Sequence, residues 1–170
     1  ISPQINEATI RLLNRHGIEV VVLKGIDCCG SLNHHLGKSD LANQTFKKNI
    51  SIWYDEYLKN GLDAIISNTS GCGTTLKDYG FIFRSDNLKK EAKKISELTK
   101  DISEYLDENV KLNFINNKEN NKTYKIAYHS ACSMQHGQKI HNVPKNLIKK
   151  TGNQVVEIPD GHLCCGSAGT

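Results

Sequence analysis

Apolar residues recur about every three to four positions in several stretches of the chain, which is typical of helices with one buried face. Ser2 and Ser39 stand at the start of two of these stretches, so both are predicted to be N-cap residues. The pattern predicts helices over residues 4–15, 39–59, 87–109, 134–140 and 144–150, and a further helix that starts within 74–79.

Short β-rich runs separate these helical stretches and predict strands over residues 18–23, 63–67, 124–128 and 154–158. Strands that alternate with helices predict an α/β fold with a largely parallel sheet. The polar segment 116–122 has no reason to pack and is predicted to be a linker. We therefore expect two similar halves, 1–115 and 123–170, each with short parallel strands flanked by helices and with cysteine loops at the strand ends.

Six cysteines stand out against this background. The tetrapeptide Cys-Cys-Gly-Ser occurs twice, at 28–31 and 164–167, while Cys72 and Cys132 lie in segments of small residues that predict loops, the first of them over 68–73. Each motif follows a predicted strand, and ligands of open α/β sheets bind at that edge. The candidate cofactor and metal ligands are therefore Cys28, Cys29, Cys72, Cys132, Cys164 and Cys165.

The two tetrapeptides belong to a weak internal repeat. The order helix, glycine, strand, turn and Cys-Cys-Gly-Ser occurs over 4–31 and again over 144–167. Cys132 precedes the second pair but no cysteine precedes the first, and Cys72 follows the first pair but none follows the second. The chain also begins without Met. We therefore expect a fragment in which each half lacks one end of the same unit.

Composition narrows the class of protein. The chain has 22 basic and 18 acidic residues, a formal charge of +4, and its lysines are scattered, which argues against a nucleic-acid partner. No apolar run approaches the roughly 20 residues of a membrane span, and we expect a protein without a signal peptide. Because the cysteines are too sparse for a disulfide scaffold, we expect reduced thiols and a cytoplasmic location.

Thiolates that converge favour iron–sulfur clusters or zinc. The chain has no Cys-x-x-Cys knuckle of the kind that usually holds zinc. Adjacent cysteines reach one tetrahedral ion poorly but reach different metal atoms of a cluster more easily. A cluster is therefore favoured, while zinc and a dithiol–disulfide pair stay open as alternatives.

Several polar residues near the cysteines are candidates for supporting roles. Ser31 and Ser167 are candidate donors to sulfur, and His129 and His162 lie close enough along the chain to donate to a thiolate. His34, His35 and His136 are alternative ligands, although histidines on a solvated helix surface are more common. No pair of nucleophile and base and no phosphate-binding glycine loop stands out.

The motifs themselves resemble a known family. Asp27–Gly30, Ser70–Gly73, His129–Cys132 and residues 160–170 are similar to the cysteine-rich CCG domain of heterodisulfide reductases, lactate-utilisation proteins, anaerobic glycerol-3-phosphate dehydrogenase and glycolate oxidase. The details favour the iron–sulfur subunits of glycolate oxidase (glycolate dehydrogenase). The family pattern has Cys-x-x-Cys where this chain has Thr69 and Cys72.

The resemblance implies an electron-transfer subunit of an oxidoreductase, with an iron–sulfur cluster, of 4Fe-4S type, held by the six cysteines. It implies partner subunits that carry the flavin (FAD) and oxidise glycolate to glyoxylate, with electrons passing on to a quinone or other acceptor at the inner face of the membrane. The fragment alone is not expected to be active. The alternatives are a zinc-stabilised docking domain and a heterodisulfide-reductase-like or lactate-utilisation protein.

Overall fold

Short strands alternate with helices along the chain, and this confirms the predicted α/β class. The computed structural model describes residues 2–112, 123–163 and 166. The chain splits into two units, Ile1–Ile102 and Ser103–Thr170, which divide at the start of helix α6. The predicted halves and their linker at 116–122 stay a prediction, because the linker lies outside the described residues.

The elements of the first unit begin with helix α1 and run to the start of α6. They are α1 Pro3–Arg15, α2 Ser31–His35, α3 Ser39–Asn60, β1 Ile65–Ser67, α4 Ser70–Ile82, α5 Lys89–Leu98 and β2 Thr99–Asp101. Helix α6, Ile102–Asn109, begins at the last residue of this unit and belongs otherwise to the second. Strands β1 and β2 pair in parallel, with Ile65 opposite Thr99. Ile65 of β1 belongs to a core built mainly from helices α3, α4 and α5: Ala42, Phe46, Ile50, Ile65, Leu76, Tyr79, Phe83, Ala92 and Ile95.

The predicted helix over 87–109 is wrong in its middle, where the structure has strand β2 between α5 and α6. Thr99 and Asp101 are each only 2% exposed, and they lie in register with residues of β1. Helical periodicity in a charged segment cannot reveal a three-residue strand, because the pairing with a distant strand decides it.

The predicted strand over 18–23 is also absent. Val21 and Val22 are 51% and 76% exposed, and the segment has no regular secondary structure and no strand partner among the described residues. An apolar run becomes a strand only where a neighbouring strand satisfies its backbone groups. The internal repeat is therefore only partly reproduced in the structure, since its first copy lacks this strand.

Smaller corrections concern where helices begin. Lys38, and not Ser39, is the N-cap of α3. Ser2 is the N-cap of α1 as predicted, although its side chain makes no capping hydrogen bond. Helix α4 begins at Ser70 within the predicted loop, because the amide of Gly73 bonds the carbonyl of Thr69 at 2.9 Å and closes the first turn there.

The second unit contains the strand pair predicted near the chain's end. Its elements are β3 Lys125–Ala127, a π-helix Ser133–Gly137, α7 Val143–Lys150 and β4 Gln154–Val156. Strands β3 and β4 pair in parallel, with Lys125 opposite Gln154. A π-helix replaces the α-helix predicted at 134–140. No helix in the described part of the chain is long and apolar enough to cross a membrane.

Candidate cysteine site

Three of the predicted ligands meet in the first unit. Cys28, Cys29 and Cys72 line one cleft of about 180 Å³, together with Thr69 and Trp53. The sulfurs of Cys29 and Cys72 lie 3.0 Å apart although the residues are 43 positions apart in the chain. Cys72 reaches the cleft because β1 ends at Ser67 and α4 starts at Ser70, which places Cys72 in the first turn of the helix.

Two buried polar side chains hold the backbone of the cysteine turn. Asn49 of α3 donates its amide N–H to the carbonyl of Cys28 at 2.7 Å, and the Tyr79 hydroxyl of α4 donates to the carbonyl of Cys29 at 2.8 Å. Asn49 also reaches the Tyr79 oxygen, at 3.4 Å. Asn49 and Tyr79 are 1% and 0% exposed, so the turn is tied to the core of the unit.

Gly30 gives the turn its direction. Its φ of +81° is left-handed, and a Cβ at this position would lie 2.5 Å from the Phe46 ring. Only glycine satisfies both conditions. The chain then enters α2, where the Ser31 hydroxyl accepts a hydrogen bond from Thr75 at 2.9 Å, so that α2 is joined to α4.

Backbone amides of this turn donate hydrogen bonds to the cysteine sulfurs. The N–H of Gly30 donates to Cys28 Sγ at 3.3 Å. The pKa of Cys29 is raised mainly by its hydrogen bond to Cys72, and a hydrogen bond from the backbone of Ser31 opposes part of this rise. Ser31 was predicted to donate a hydrogen bond to sulfur, and its backbone rather than its hydroxyl makes this bond. Hydrogen bonds of this kind favour a thiolate, which is the form that binds metals.

The Cys29 and Cys72 thiols share a proton. Cys29 donates to Cys72, and this bond is the main cause that lowers the pKa of Cys72 to about 7. The same bond, followed by burial, raises the pKa of Cys29 far above that of an ordinary thiol. The pair therefore gains one negative charge as the pH rises through about 7, and it loses its second proton only at much higher pH.

Burial also keeps Tyr79 protonated. Desolvation is the main cause that raises the pKa of its hydroxyl, and the hydrogen bond from Asn49 opposes this only in part. A neutral hydroxyl is the form that donates to the Cys29 carbonyl. The contact that holds the turn thus persists over the whole physiological pH range.

The three thiols of this cleft are chemically suited to bind a soft metal ion or an iron–sulfur cluster. The distance of 3.0 Å between the sulfurs exceeds the roughly 2.05 Å of a disulfide. It falls short of the ~3.8 Å that separates two thiolates on one tetrahedral ion with ~2.3 Å bonds. Modest side-chain rotation therefore suffices to admit a metal. Within the described ranges, no three His, Cys, Asp or Glu side chains converge on one ion.

The other candidate residues in the first unit do not join this cluster of thiols. The ring of His34 contacts those of Phe46 and His35, each at 5.6 Å between centroids. Thr69, which stands where the family pattern has a cysteine, lines the cleft beside Cys72. The residues brought together are thus the three cysteines and this threonine.

In the second unit, Cys132 follows β3 and precedes the π-helix, and its side chain is half-buried. His129, His136 and His162 are exposed. Cys164, Cys165 and Ser167 lie outside the described residues, so the predicted ligand set of this unit stays a prediction. Among the predicted ligands of this unit, only Cys132 lies within the described residues.

Sequence reasoning missed Asn49 and Tyr79 as supports of the cysteine turn. Asn49 did leave a signal, because a polar residue there interrupts the apolar face of α3 between Phe46 and Ile50. A buried polar side chain nearly always has a partner, so this interruption pointed to a backbone group to be held. Which group it holds depends on a loop 21 positions away in the chain.

Comparison with curated proteins adds relatives along nearly the whole chain. The chain is 36% identical over its full length to the glycolate oxidase iron-sulfur subunit of Escherichia coli K12, and covers 41% of that protein. It is 32% identical to an uncharacterized iron-sulfur protein of Methanococcus maripaludis, with 98% of this chain and 30% of that one covered. Lactate utilization protein A of Geobacillus kaustophilus is 25% identical, over 98% of this chain and 67% of that protein.

The chain thus spans less than half the length of the first two of these relatives. No solved structure gives a significant match. The sequence model of the cysteine-rich domain named CCG matches residues 2–77 and 126–170, which include both Cys-Cys-Gly-Ser motifs. The chain therefore belongs to the CCG cysteine-rich domain family.

Proposed function

We propose that this chain is the cysteine-rich part of an iron–sulfur electron-transfer subunit in an oxidoreductase complex. The convergence of Cys28, Cys29 and Cys72 on one cleft carries the proposal. Soft thiolates in that number suit iron and sulfide. The names of the relatives, which include iron-sulfur subunits of glycolate oxidase, support the same role.

The arrangement of the turn favours a polynuclear group over a single ion. Cys28 and Cys29 are adjacent, and Cys28 is exposed while Cys29 faces Cys72. Their sulfurs can therefore bind different metal atoms of one cluster. Such a cluster, of 4Fe-4S or another type, would supply one-electron transfer when bound.

The chain's own residues prepare this site. Asn49 and Tyr79 fix the carbonyls of the cysteine turn, and Gly30 allows its close approach to Phe46. The apolar side chains of Trp53, Ile65 and Leu76 line the same cleft, in which Cys29 is half-buried and Cys28 is exposed. Low solvent exposure and amide hydrogen bonds to sulfur are two of the features that set a cluster's potential.

For the whole protein we propose the role of an electron carrier in a glycolate oxidase or dehydrogenase complex. Its partners would be flavin-containing subunits that oxidise glycolate to glyoxylate, and its acceptor a quinone or another carrier. In this scheme the substrate chemistry belongs to the flavin subunits. The second set, Cys132, Cys164 and Cys165, would hold or dock a further cluster.

One observation favours a second candidate, a zinc-stabilised docking domain. The separation of 3.0 Å between Cys29 and Cys72 sulfurs is closer to the spacing on one ion than to that of ligands on two separate metal atoms. Zinc would then fix the loops and transfer no electrons.

Metal analysis separates the two candidates. The full-length natural protein is purified without oxygen, and iron, acid-labile sulfide and zinc are measured beside its visible spectrum. We expect iron and sulfide in the wild type, with a visible band that dithionite bleaches. The iron and sulfide content and the visible band should all decrease in the Cys29→Ser and Cys72→Ser variants.

The matched control is Lys48→Met, which breaks the exposed ion pair with Asp27 on the same turn and removes no thiol. Its iron content should equal that of the wild type. Zinc in place of iron, with no dithionite-sensitive band lost in the Cys29→Ser and Cys72→Ser variants, would overturn the electron-transfer role and support the docking domain.

A further inference from the structure

A polar cavity of about 220 Å³ lies in the second unit. Tyr128 and Ser130 come from the segment after β3, and Glu157 directly follows β4. The cavity thus lies at the carboxyl edge of a parallel strand pair, where α/β proteins bind ligands. Its described lining contains no cysteine, and the residues that matter below are Tyr128, Ser130, Gln135, His141, Lys145 and Glu157.

Helix α7 begins at this cavity. Its N-cap residue Asn142 and its first-turn residue Lys145 both line the cavity. The Asn142 side chain makes no capping hydrogen bond, so it leaves the first-turn amides to other partners. The positive end of the helix dipole therefore adjoins the cavity.

Ser130 supplies an independent sign of a missing partner. The residue is only 7% exposed, and its hydroxyl has no hydrogen-bond partner among the described residues. Its carbonyl, by contrast, accepts from the Gln135 side chain at 2.8 Å, which fixes the loop around it. Buried hydroxyl groups are rarely left unpaired, and Ser130 is one of the residues that line the cavity.

Lys145 and Glu157 form an ion pair at the cavity, and another anion could replace Glu157 in it. The Lys145 side chain is 22% exposed, and its ammonium group lies 2.7 Å from the carboxylate of Glu157, which is 70% exposed. Glu157 can therefore swing into solvent at little cost, whereas Lys145 stays at the cavity. His141 stands beside them at the exposed rim.

We propose that this cavity binds a small oxyanion, a carboxylate or a phosphate, which takes the place of Glu157 on Lys145. The ammonium group of Lys145 and the N-terminus of α7 supply the positive charge, and the Ser130 hydroxyl donates the additional hydrogen bond. Glu157 then acts as an internal competitor that holds Lys145 until the anion arrives. The proposal does not depend on the iron–sulfur role.

The test measures binding of inorganic phosphate and of acetate to the full-length protein by isothermal titration calorimetry. Lys145→Met should weaken binding of the preferred anion about tenfold or more, since it removes a charge-assisted hydrogen bond. Glu157→Gln should tighten binding several-fold. Ser130→Ala should weaken it by a smaller factor.

The two charge variants break the same ion pair, so a purely structural effect would move both affinities in one direction. Opposite directions exclude a purely structural effect, and a Lys149→Met variant measures how much of the change comes from net charge alone. Lys149→Met is the matched control, because it removes a charge from the same helix at a residue outside the cavity lining. Absence of binding to the wild type, weaker binding by Glu157→Gln, or an equal loss in Lys149→Met would each overturn the proposal.

Discussion

The two parallel strand pairs of this chain have different surroundings. On β1 and β2 the outer residues of each three-residue strand are buried, whereas on β3 and β4 the same positions are exposed. The cysteine turn in the first unit is held by Asn49 and Tyr79, which belong to or contact the core. We infer that core packing and the hydrogen bonds from the core together preorganise the first cysteine set, while Cys132 follows the more exposed strand β3.

The largest expected effect tests whether the first cysteine turn depends on packing. In Gly30→Ala the new Cβ meets Phe46 and the backbone keeps a left-handed φ, so we expect a loss of about 2 to 4 kcal/mol in the free energy of unfolding. Urea unfolding followed by the fluorescence of Trp53, which packs against this core and is the single tryptophan of the chain, measures it.

Gly37→Ala is the control for that variant. Gly37 has a similar φ of +71°, but a Cβ there would meet nothing within 4 Å. We expect it to cost only about 1 kcal/mol, from backbone strain alone. If the two variants lose equal stability, close packing against Phe46 is not what holds the turn.

The second prediction concerns the thiol pair, which gives the first unit a distinctive pH dependence. In the metal-free protein, alkylation of Cys72 should reach half its maximal rate near pH 7, well below the 9.0 of an ordinary thiol. Only the thiolate reacts, so a lowered pKa makes Cys72 reactive at lower pH. Mass spectrometry of iodoacetamide-treated protein across pH values measures the midpoint.

Cys29→Ala removes the hydrogen-bond donor that lowers this pKa. Burial, which raises the pKa of Cys72, then acts without opposition, so the midpoint should move upward. An unchanged midpoint in Cys29→Ala would show that the two sulfurs do not share a proton.

A smaller effect is expected from one hydrogen bond of the turn. Tyr79→Phe keeps the ring in the core but leaves the Cys29 carbonyl without its donor, which should cost about 1 kcal/mol. Urea unfolding measures this cost, with Tyr124→Phe at the exposed Tyr124 of the second unit as control. Equal results for the two variants would mean that the Tyr79 hydroxyl does not stabilise the turn.

The smallest effect concerns surface charge, in which the two units should not differ. Lys48→Met breaks a 3.0 Å ion pair with Asp27 whose side chains are 51% and 82% exposed. We expect less than about 0.5 kcal/mol, because solvent screens such pairs. Unfolding at low and high salt measures it, and a large salt-dependent loss would contradict this expectation.

Local sequence predicted the elements whose stability depends on short-range features. The limits of α3 and α7, strands β1, β3 and β4, and the class of the fold follow from periodicity and from breakers such as Gly61 and Gly152. Strand β2 was not predicted from the sequence pattern, because the pairing of Thr99 with Ile65 overrides a helical pattern. At 18–23 a strand was predicted and is absent, because the segment has the composition of a strand but no partner strand among the described residues.

The candidate site divides in the same way. The sequence by itself determined which residues are candidates for the chemistry, because thiol content and the Cys-Cys-Gly-Ser motif are local properties. Only the tertiary structure decided that Cys72 meets Cys29 and that Asn49 and Tyr79 hold the turn between them. These contacts join segments 21 to 50 positions apart, and they form because burial of Phe46 and Tyr79 in one core brings α3, α4 and the cysteine turn together.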